Sequence, residues 1–505
     1  MSQQRIGIID IGSNSIRLVI YEKTTTGAHR VIDGSKRSAR LSGQMDYTAR
    51  LPQSSIIELT TIIRHFLRIC SLHAVDQIRA VATAAIRNAA NQQEILEHIK
   101  ASTGLAVEVL SGEVEASYGF LGMINSLSIR DGFLIDIGGG STELSLFRNR
   151  ELQHSVSFPF GCVSLNKQFS TGEQFGDEEL QALENYVSDA LKPYSWIQAS
   201  PGLPLVGVGG TARALGKIHQ ATHMYPFTQI HNYSIEREHV SELLNEMRKL
   251  PFAKRRKQPG LSKDRVDVII PGIAVLRTIF RAISGNHYLI CGAGLRDGLF
   301  HATRFPHKPM LDDPLAFSLG NLRSLHPGVP KVHVEQVNRL AMAMFHELSR
   351  MEPFPAEAMQ FMDAASQLFR IGSSIDYYEY ARHSFYLVVH SHLNGLEHRD
   401  IVVIAAIASF KSKNRAKEHL AAYKSLLKDM DIELIYKLGT LLQLAAALDR
   451  SETQAIGQLN VAVSKTQLTL QPVKASGSLA IERREVQEFA DEFKKQWGLT
   501  PVLIQ

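Results

Sequence analysis

The sequence is poor in cysteine and lacks any hydrophobic run long enough to cross a membrane. Its three cysteines, Cys70, Cys162 and Cys291, lie far apart without metal-ligand or CxxC spacing, a pattern typical of buried thiols in a reducing compartment. The longest apolar runs, such as residues 401–410, have about half the length of a membrane-spanning helix, and the N-terminal residues lack a signal-peptide pattern. We therefore expect a cytoplasmic protein that does not enter a membrane.

The sequence also lacks a large excess of positive or negative charge. The chain has 55 Lys and Arg residues against 50 Asp and Glu residues, a formal net charge of +5, which is too small to indicate a nucleic-acid partner, and we expect none. Basic clusters at residues 254–257 and 411–417 are more typical of solvated faces than of binding sites. The 505 residues are too many for one hydrophobic core and predict about two to four domains.

Two segments of the sequence resemble each other. Residues 6–20 (IGIIDIGSNSIRLVI) and 134–147 (LIDIGGGSTELSLF) each consist of an apolar run, an aspartate, a glycine turn with hydroxyl residues and a second apolar run. From residue 5 to about 300, β-like runs alternate with helical periodicity, including a helix over roughly 54–72. The order of motifs repeats, so the sequence predicts a duplicated α/β architecture whose halves meet at a cleft.

The pattern changes after a segment rich in proline and charge at residues 301–314. Residues 315–455 carry helical periodicity, and residues 457–505 show three short β-like runs and an amphipathic helix. This predicts a helical domain with a small α+β tail. We place the domains at residues 1–125, 126–308, 309–455 and 456–505.

The glycine turns indicate a phosphate site beside a metal ion. Such a turn exposes successive backbone N–H groups to an anion. Asp10 and Asp136 precede the turns, and because a carboxylate repels phosphate, each is better suited to a cation such as Mg²⁺ or Mn²⁺ that bridges carboxylates to phosphate oxygens. Glu143 lies seven residues after Asp136 and can return to the same edge of the cleft on a hairpin. We therefore predict that Asp10, Asp136 and Glu143 hold the metal.

Polar groups of the turns are the candidate ligands for phosphoryl oxygens. Hydroxyl groups recur in the first two turns, and residues 207–211 (GVGGT) supply a third turn. The predicted phosphate-binding set from these turns is Ser13, Asn14, Ser15, Gly138, Gly139, Gly140, Ser141, Thr142, Gly209, Gly210 and Thr211. Arg17, which follows the first turn, is either a further phosphate ligand or an exposed strand residue.

The ordered motifs IDIGSNSIRLVI, IDIGGGSTEL, VGVGGTARAL and ICGAGLRDGL resemble those of the acetate and sugar kinase, Hsp70 and actin superfamily. More closely, the chain resembles the exopolyphosphatase and guanosine pentaphosphate phosphohydrolase (Ppx/GppA) family, also through RAVATAAIRNA, VEVLSGEVEASYGFLG and FPFGCVSL. The resemblance implies an α/β fold of duplicated ribonuclease-H-like (actin-like ATPase) domains with a cleft. An all-α degenerate HD-like domain and a small α+β tail would follow, in a homodimer.

The activity that this resemblance implies is Mg²⁺-dependent hydrolytic release of terminal orthophosphate from inorganic polyphosphate. Glu115 matches the family's general base, although spacing alone cannot choose it over Glu113. Arg87 matches an arginine that faces the phosphate chain, where its planar fork suits bidentate pairing. Many relatives have an acid at the position of Val114 and a basic residue at that of Ser117, so local substrate contacts are expected to differ here.

The helical domain resembles an HD-type metal phosphohydrolase fold whose metal ligands are incomplete. His333, His383 and Asp449 fall at matching positions, but Phe369 and Arg370 replace the His-Asp pair, and the stretch SFKSK lacks an expected histidine. Because Phe and Arg cannot ligate a divalent cation, we predict no second catalytic metal site. The remaining histidines are expected to pack or to form hydrogen bonds.

Basic residues suggest another use for the helical domain, as a track that retains a long polyanion while its end is trimmed. Such retention is electrostatic and weakens with salt. A chain lacking the residues after about 310 should then turn over short polymers but release long ones sooner. The rival use of this domain is dimerisation. The candidate track residues are Arg370, Lys411, Lys413, Arg415 and Lys417.

Three alternative functions share these motifs. Guanosine pentaphosphate or tetraphosphate could be the ligand, which would connect the protein to the stringent response. A kinase of the same superfamily would need ADP to accept the phosphate, whereas a hydrolase would not. A non-catalytic sensor of polyphosphate or the alarmone nucleotide is the third, and the presence of all the expected catalytic acids argues against it.

Overall fold

The computed structural model describes residues 3–172 and 174–504, apart from the side chains of residues 474 and 475. The chain divides into two compact units, Met1–Pro314 and Leu315–Gln505. Across the described part of the chain, no helix combines the length and the apolar character that a membrane crossing requires.

The first half of the N-terminal unit contains a five-stranded sheet of order β3-β2-β1-β4-β5. Strands β1, β2 and β3 are antiparallel, whereas β1, β4 and β5 run parallel. Alternate residues of β1 enter two different cores, Ile9 on one face and Ile8 on the other, which explains the unbroken apolar run. The elements are β1 (Gln4–Ile11), β2 (Ser15–Lys23), β3 (His29–Ser38), α1 (Leu41–Gln44), α2 (Gln53–Leu72), β4 (Gln77–Ala82), α3 (Ala84–Arg87), α4 (Gln92–Thr103), β5 (Glu108–Val109) and α5 (Gly112–Ile124).

The second half repeats this topology. Its elements are β6 (Gly132–Ile137), β7 (Thr142–Arg148), β8 (Glu151–Phe158), α6 (Cys162–Phe169), α7 (Asp177–Leu191), β9 (Leu205–Val208), α8 (Gly209–Thr222), β10 (Tyr233–Ile235), α9 (Arg237–Lys249), α10 (Phe252–Arg255), α11 (Ile269–Ala282), β11 (Tyr288–Ile290) and α12 (Leu295–Arg304). The sheet order is β10-β11-β9-β6-β7-β8, with an antiparallel β6-β7-β8 meander and parallel β6, β9 and β11. The predicted duplicated α/β architecture is confirmed.

Helices α5 and α12 cross with their backbones in contact. A Cβ atom added to Gly122 would lie 2.2 Å from the carbonyl oxygen of Gly294, and one on Gly298 would lie 1.9 Å from that of Tyr118, so only glycine fits at these two positions. Helix α12 also buries Phe300 against the first sheet. Helix α12, at the end of the second half, thus packs on the sheet of the first half. The predicted domain boundary between residues 125 and 126 stays a prediction.

The C-terminal unit is helical and ends in a small α+β element, as predicted. Its three-stranded sheet has the order β12-β13-β14. Helix α17 is buried on all sides, which accounts for the apolar run at residues 401–410 without a membrane. The elements are α13 (Pro314–Leu325), α14 (Lys331–Leu348), α15 (Ala358–Gln367), α16 (Tyr380–His390), α17 (His398–Ala408), α18 (Lys413–Leu420), α19 (Asp429–Ala447), β12 (Ile456–Val463), β13 (Gln467–Ala475), α20 (Ala480–Trp497) and β14 (Thr500–Leu503).

Candidate functional site

The glycine turns of the two sheets meet. A Cβ atom on Gly139, in the turn between β6 and β7, would lie 3.1 Å from Cβ of Ser13 and 3.4 Å from the backbone nitrogen of Asn14, in the turn between β1 and β2. A side chain at residue 139 would therefore separate the turns. The segments that the sequence places at one cleft, 10–17 and 136–143, do contact each other.

A cavity of about 130 Å³ lies at this junction. Its lining includes most of the predicted site residues, namely Asp10, Ser13, Asn14, Ser15, Arg17, Glu115, Asp136, Gly138, Gly139, Ser141, Gly209 and Gly210. Arg17 was expected to be either a phosphate ligand or an exposed strand residue. In the structure its side chain is half-buried and lines the cavity.

Two half-buried aspartates stand at corresponding positions of the two halves. Asp10 is the penultimate residue of β1, opposite Arg17 on β2, and Asp136 is the penultimate residue of β6, opposite Glu143 on β7. Burial raises the pKa of Asp10, although the charges of Arg296 and Arg17 oppose the rise. Burial also raises the pKa of Asp136, and the charge of Asp10 adds to that effect. Both acids are thus costly as bare carboxylates.

This donor set fits a hard divalent cation. Among the described residues, none donates a hydrogen bond to the carboxylate of Asp10 or Asp136, and the closest cation, Nε of Arg296, is 4.0 Å from Oδ2 of Asp10. Cross-strand pairing brings the side chain of Glu143 to the same face as that of Asp136. Oxygen ligands from a few carboxylates suit Mg²⁺, which keeps waters and bridges to phosphate.

Glu115 lies in the first turn of α5 and forms an ion pair with Arg87. Nη1 of Arg87 donates to Oε2 of Glu115 at 2.7 Å and to the carbonyl oxygen of Leu110 at 2.9 Å. Burial raises the pKa of Glu115 well above its usual range, and the charge of Glu143 adds to the rise while Arg87 opposes it. Glu113, the other acid of this turn, is exposed. The structure therefore directs Glu115 alone to the cavity.

Glu143 completes a cluster of three acids. Burial raises its pKa to about 7, the charge of Asp136 adds to the rise, and Ser157, which donates to Oε1 at 2.7 Å, opposes it. Nη2 of Arg87 lies 4.0 Å from the same oxygen. A side cavity of about 10 Å³ touches Glu115, Asp136 and Glu143, with room for about one water molecule. The cluster can hold a proton or a cation.

Three arginines that the sequence analysis did not predict line the cavity beside Arg17. They are Arg213, Arg265 and Arg296. Burial, together with the charges of Arg296 and Arg213, lowers the pKa of Arg17 to about 10. The four guanidinium groups repel one another, so the cavity is suited to an anion with several charges.

Two glycines of the third turn allow this arrangement. Gly209 has a left-handed φ of +76°, and a Cβ atom there would lie 2.1 Å from Oδ1 of Asp136. A Cβ atom on Gly210 would lie 1.6 Å from Nη2 of Arg265. The two positions let an acid and an arginine pack directly against the backbone where α8 begins.

Five predicted residues lie outside the cavity lining, and one of them, Glu143, lines the side cavity instead. Oγ1 of Thr142 is fully buried and donates to the carbonyl oxygen of Phe160 at 2.8 Å. Thr211 is buried where α8 meets α11. Gly140 lies beside Ser42, and Arg87 contacts Glu115 instead of the cavity. We therefore do not include Thr142 and Thr211 in the substrate site.

Some of the unpredicted residues had a sequence signal. Arg213 and Arg296 follow glycine turns in GVGGTAR and CGAGLR, at helix starts where an anion is favoured, and Thr83 and Asp297 also line the cavity beside them. Arg265 comes from a 3₁₀ turn over Lys263–Arg265, far along the chain from the turn that it packs on. No local pattern indicated it.

In the C-terminal unit, the remnants of the HD-type ligands form structural contacts. Nδ1 of His333 pairs with Oδ2 of Asp449 at 2.8 Å, and both side chains are buried. The ring of Phe369 lies beside that of His333, with centroids 6.2 Å apart, and Arg370 pairs with Glu452 at 3.3 Å. His333 is thus a hydrogen-bonding residue, as expected, and the prediction of no catalytic metal site here stays a prediction.

The predicted basic track is partly neutralised. Nζ of Lys411 lies 4.4 Å from the ring centroid of Tyr380, and Nη1 of Arg415 lies 3.4 Å from a carboxylate oxygen of Glu418. A groove of about 290 Å³ contains Lys411 and Arg415 together with Arg382 but also two glutamates. The groove is therefore only moderately basic.

Comparisons with known proteins relate both parts of the chain to one family. A family model for the Ppx/GppA phosphatase family matches residues 6–304, and one for Ppx/GppA phosphatase domain III matches residues 323–489. A Ppx/GppA family member from Aquifex aeolicus is 26% identical, with 61% of this chain and 99% of that chain covered and a TM-score of 0.53. Another structure, of the Aquifex aeolicus PPX-GPPA enzyme, is 27% identical over 59% and 99% of the two chains, with a TM-score of 0.51. An exopolyphosphatase from Cytophaga hutchinsonii, 22% identical over 61% and 100%, shares the fold with a TM-score of 0.57.

Proposed function

Because the chain belongs to the Ppx/GppA phosphatase family, we propose that it is an exopolyphosphatase that hydrolyses terminal orthophosphate from inorganic polyphosphate. The observation that carries the proposal is a cavity in which four arginines lie beside Asp10, Asp136 and Glu115, next to a side cavity that adds Glu143 to the two last acids. The arginines fit the repeated charges of a phosphate chain, and the acids fit the cation and the water that its hydrolysis requires.

Substrate binding is assigned to the arginines and the glycine turns. Arg17, Arg213, Arg265 and Arg296 neutralise phosphoryl charges, and the turns at residues 12–15 and 138–141 offer backbone N–H groups and hydroxyls. Binding removes the mutual repulsion of the guanidinium groups. We expect it to weaken with salt, as does the binding of other polyanions.

Asp10, Asp136 and Glu143 are the residues that would hold Mg²⁺ or Mn²⁺. When bound, the ion neutralises charge on the terminal phosphoryl oxygens and lowers the barrier to attack. The raised pKa values of these acids apply to the side chains without a cation. A bound cation would favour the ionised carboxylates and so lower these pKa values.

Glu115 is assigned as the general base. It accepts a proton from the attacking water while the water oxygen bonds to the terminal phosphorus and the P–O bond to the rest of the chain breaks. Its raised pKa brings it towards the range in which a base is effective at neutral pH. Arg87 orients this carboxylate through the 2.7 Å contact and is therefore a positioning residue.

Guanosine pentaphosphate is the second candidate substrate, since its terminal phosphate fits the same charges. None of the described residues that line the cavity is aromatic, so no ring is available there to stack on a purine. This favours the inorganic chain. The homodimer implied by the family resemblance is likewise a proposal.

The test compares both substrates in one assay. Purified protein with Mg²⁺ is given long-chain polyphosphate or guanosine pentaphosphate, and orthophosphate release is measured without ADP. We expect faster release from polyphosphate, reduced by about 10²–10⁴ in Glu115→Gln. Release from the nucleotide alone would establish the alternative, and binding without turnover of either would indicate a sensor.

A further inference from the structure

Three histidines cluster at the end of α8, on the side of the second half away from the catalytic cavity. His219 lies in the last turn of α8, His223 follows its end, and His239 lies in the first turn of α9. One nitrogen of each ring lies within 4.8 Å of the others. Gly210, at the cavity, is about 14 Å from His219 along the helix axis. The cluster is therefore separate from the carboxylate site.

Hydrogen bonds engage Nδ1 of both His219 and His223. Nδ1 of His223 is 2.9 Å from the carbonyl oxygen of His219, so it carries the proton and Nε2 keeps a lone pair. Nδ1 of His219 is 2.7 Å from the hydroxyl of Tyr233. Such outer contacts are the ones by which metal-binding histidines are oriented.

Two of the inward nitrogens are buried without a partner. Among the described residues, none forms a hydrogen bond with Nε2 of His219 or Nδ1 of His239, and a buried polar atom without a hydrogen bond is destabilising. His223 is exposed, which gives an ion access from solvent.

We propose that His219, His223 and His239 bind a transition-metal ion of the Zn²⁺ class, with water in the fourth position and Tyr233 as the outer partner of His219. Three imidazole ligands suit Zn²⁺, Co²⁺, Ni²⁺ or Cu²⁺, whereas Mg²⁺ prefers oxygen ligands. The nitrogens must approach one another to reach metal distances of about 2.0–2.1 Å. The bound ion would link the end of α8 to the start of α9.

The test uses tag-free, full-length protein that has been stripped of metal. Zn²⁺ is titrated against a chromogenic chelator in a large excess of Mg²⁺, which occupies the carboxylate site. We expect one tight Zn²⁺ per chain, and affinity at least about 10–100-fold weaker in His223→Gln and in His239→Gln. Tyr233→Phe should also weaken binding, by about tenfold or more. His98→Gln, on helix α4, is the matched control and should bind as the wild type does.

Co²⁺ provides a second readout, because a tetrahedral nitrogen site gives intense visible absorption that an oxygen site lacks. Circular dichroism of the metal-free variants shows whether they are folded. Wild-type protein that binds Zn²⁺ no more tightly than a folded His223→Gln/His239→Gln double variant would overturn the proposal. Equal weakening by His98→Gln would overturn it as well. Neither result depends on the hydrolytic activity.

Discussion

Replacing Arg87 by glutamine should make hydrolysis depend on pH in a new way. Arg87 donates to Glu115 at 2.7 Å, and its charge lowers a pKa that burial and Glu143 raise. Without the guanidinium the pKa of Glu115 rises further, so less of the base is ionised at neutral pH. Activity should then fall as the pH decreases and recover as it increases, and the acid limb of the pH profile should move to higher pH.

The size of the effect follows from the contact. A hydrogen bond to a charged group contributes about 1.5–3 kcal/mol, and about 1.4 kcal/mol corresponds to a factor of ten. We therefore expect kcat at pH 7 to fall by about 10–100-fold in Arg87→Gln, with little change in KM. The assay is orthophosphate release at saturating polyphosphate over a range of pH. Arg87→Lys keeps the charge but not the planar fork and should lose less.

Arg79→Gln is the matched control, since this arginine also contacts α5 but pairs with the hydroxyl of Tyr118 at 2.7 Å and with Glu108 at 3.0 Å. Its pH profile should remain that of the wild type. If the loss in Arg87→Gln were the same at every pH, or appeared mainly in KM, the reasoning would be refuted. Arg87 would then contact substrate, as the family resemblance implies.

Three further predictions concern the base, the third glycine turn and the C-terminal groove. Glu115→Gln should reduce turnover by about 10²–10⁴ while substrate binding persists; wild-type turnover would exclude this residue as the base. Gly209→Ala should abolish activity because its Cβ would lie 2.1 Å from Oδ1 of Asp136. Gly202 has a similar φ of +78° but lies in open space, so Gly202→Ala should cost only about 1–2 kcal/mol of stability. Equal activities of the two variants would contradict this prediction. Lys411→Gln with Arg415→Gln should shorten processive runs on long polyphosphate and spare short chains, measured by the distribution of product lengths; unchanged runs would rule out the track.

Much of the fold could be predicted because its signals are local. A glycine turn between two β-like apolar runs indicates a hairpin, and two copies in the same order predict two similar sheets. The register of Asp136 opposite Glu143 also follows from a tight hairpin. The packing of α12 on the first sheet could not be predicted, since it depends on contacts between residues almost 300 positions apart.

The site was predicted less completely, for two physical reasons. Successive residues of a strand point to opposite faces. Because Ser141 and Glu143 lie on the face of the site, Thr142 between them points into the core, where it is buried. This alternation is a local property of the sequence, so the burial of Thr142 follows from it. Arg265 is different, because its position on Gly210 is a tertiary contact that no nearby residue encodes.

The glycine crossing of α5 and α12 has a mechanical consequence. Helix α5 carries Glu115 near its start, and α12 carries Arg296 near its start. Because backbone touches backbone at Gly122 and Gly298, no layer of side chains between these helices can compress or slide. Glu115, the proposed general base, and Arg296, a proposed ligand of the anion, thus belong to a single stiff frame. We expect the two halves to open by rotation about this frame, with the largest displacement at the hairpins, so that a chain end enters and orthophosphate leaves from the hairpin side.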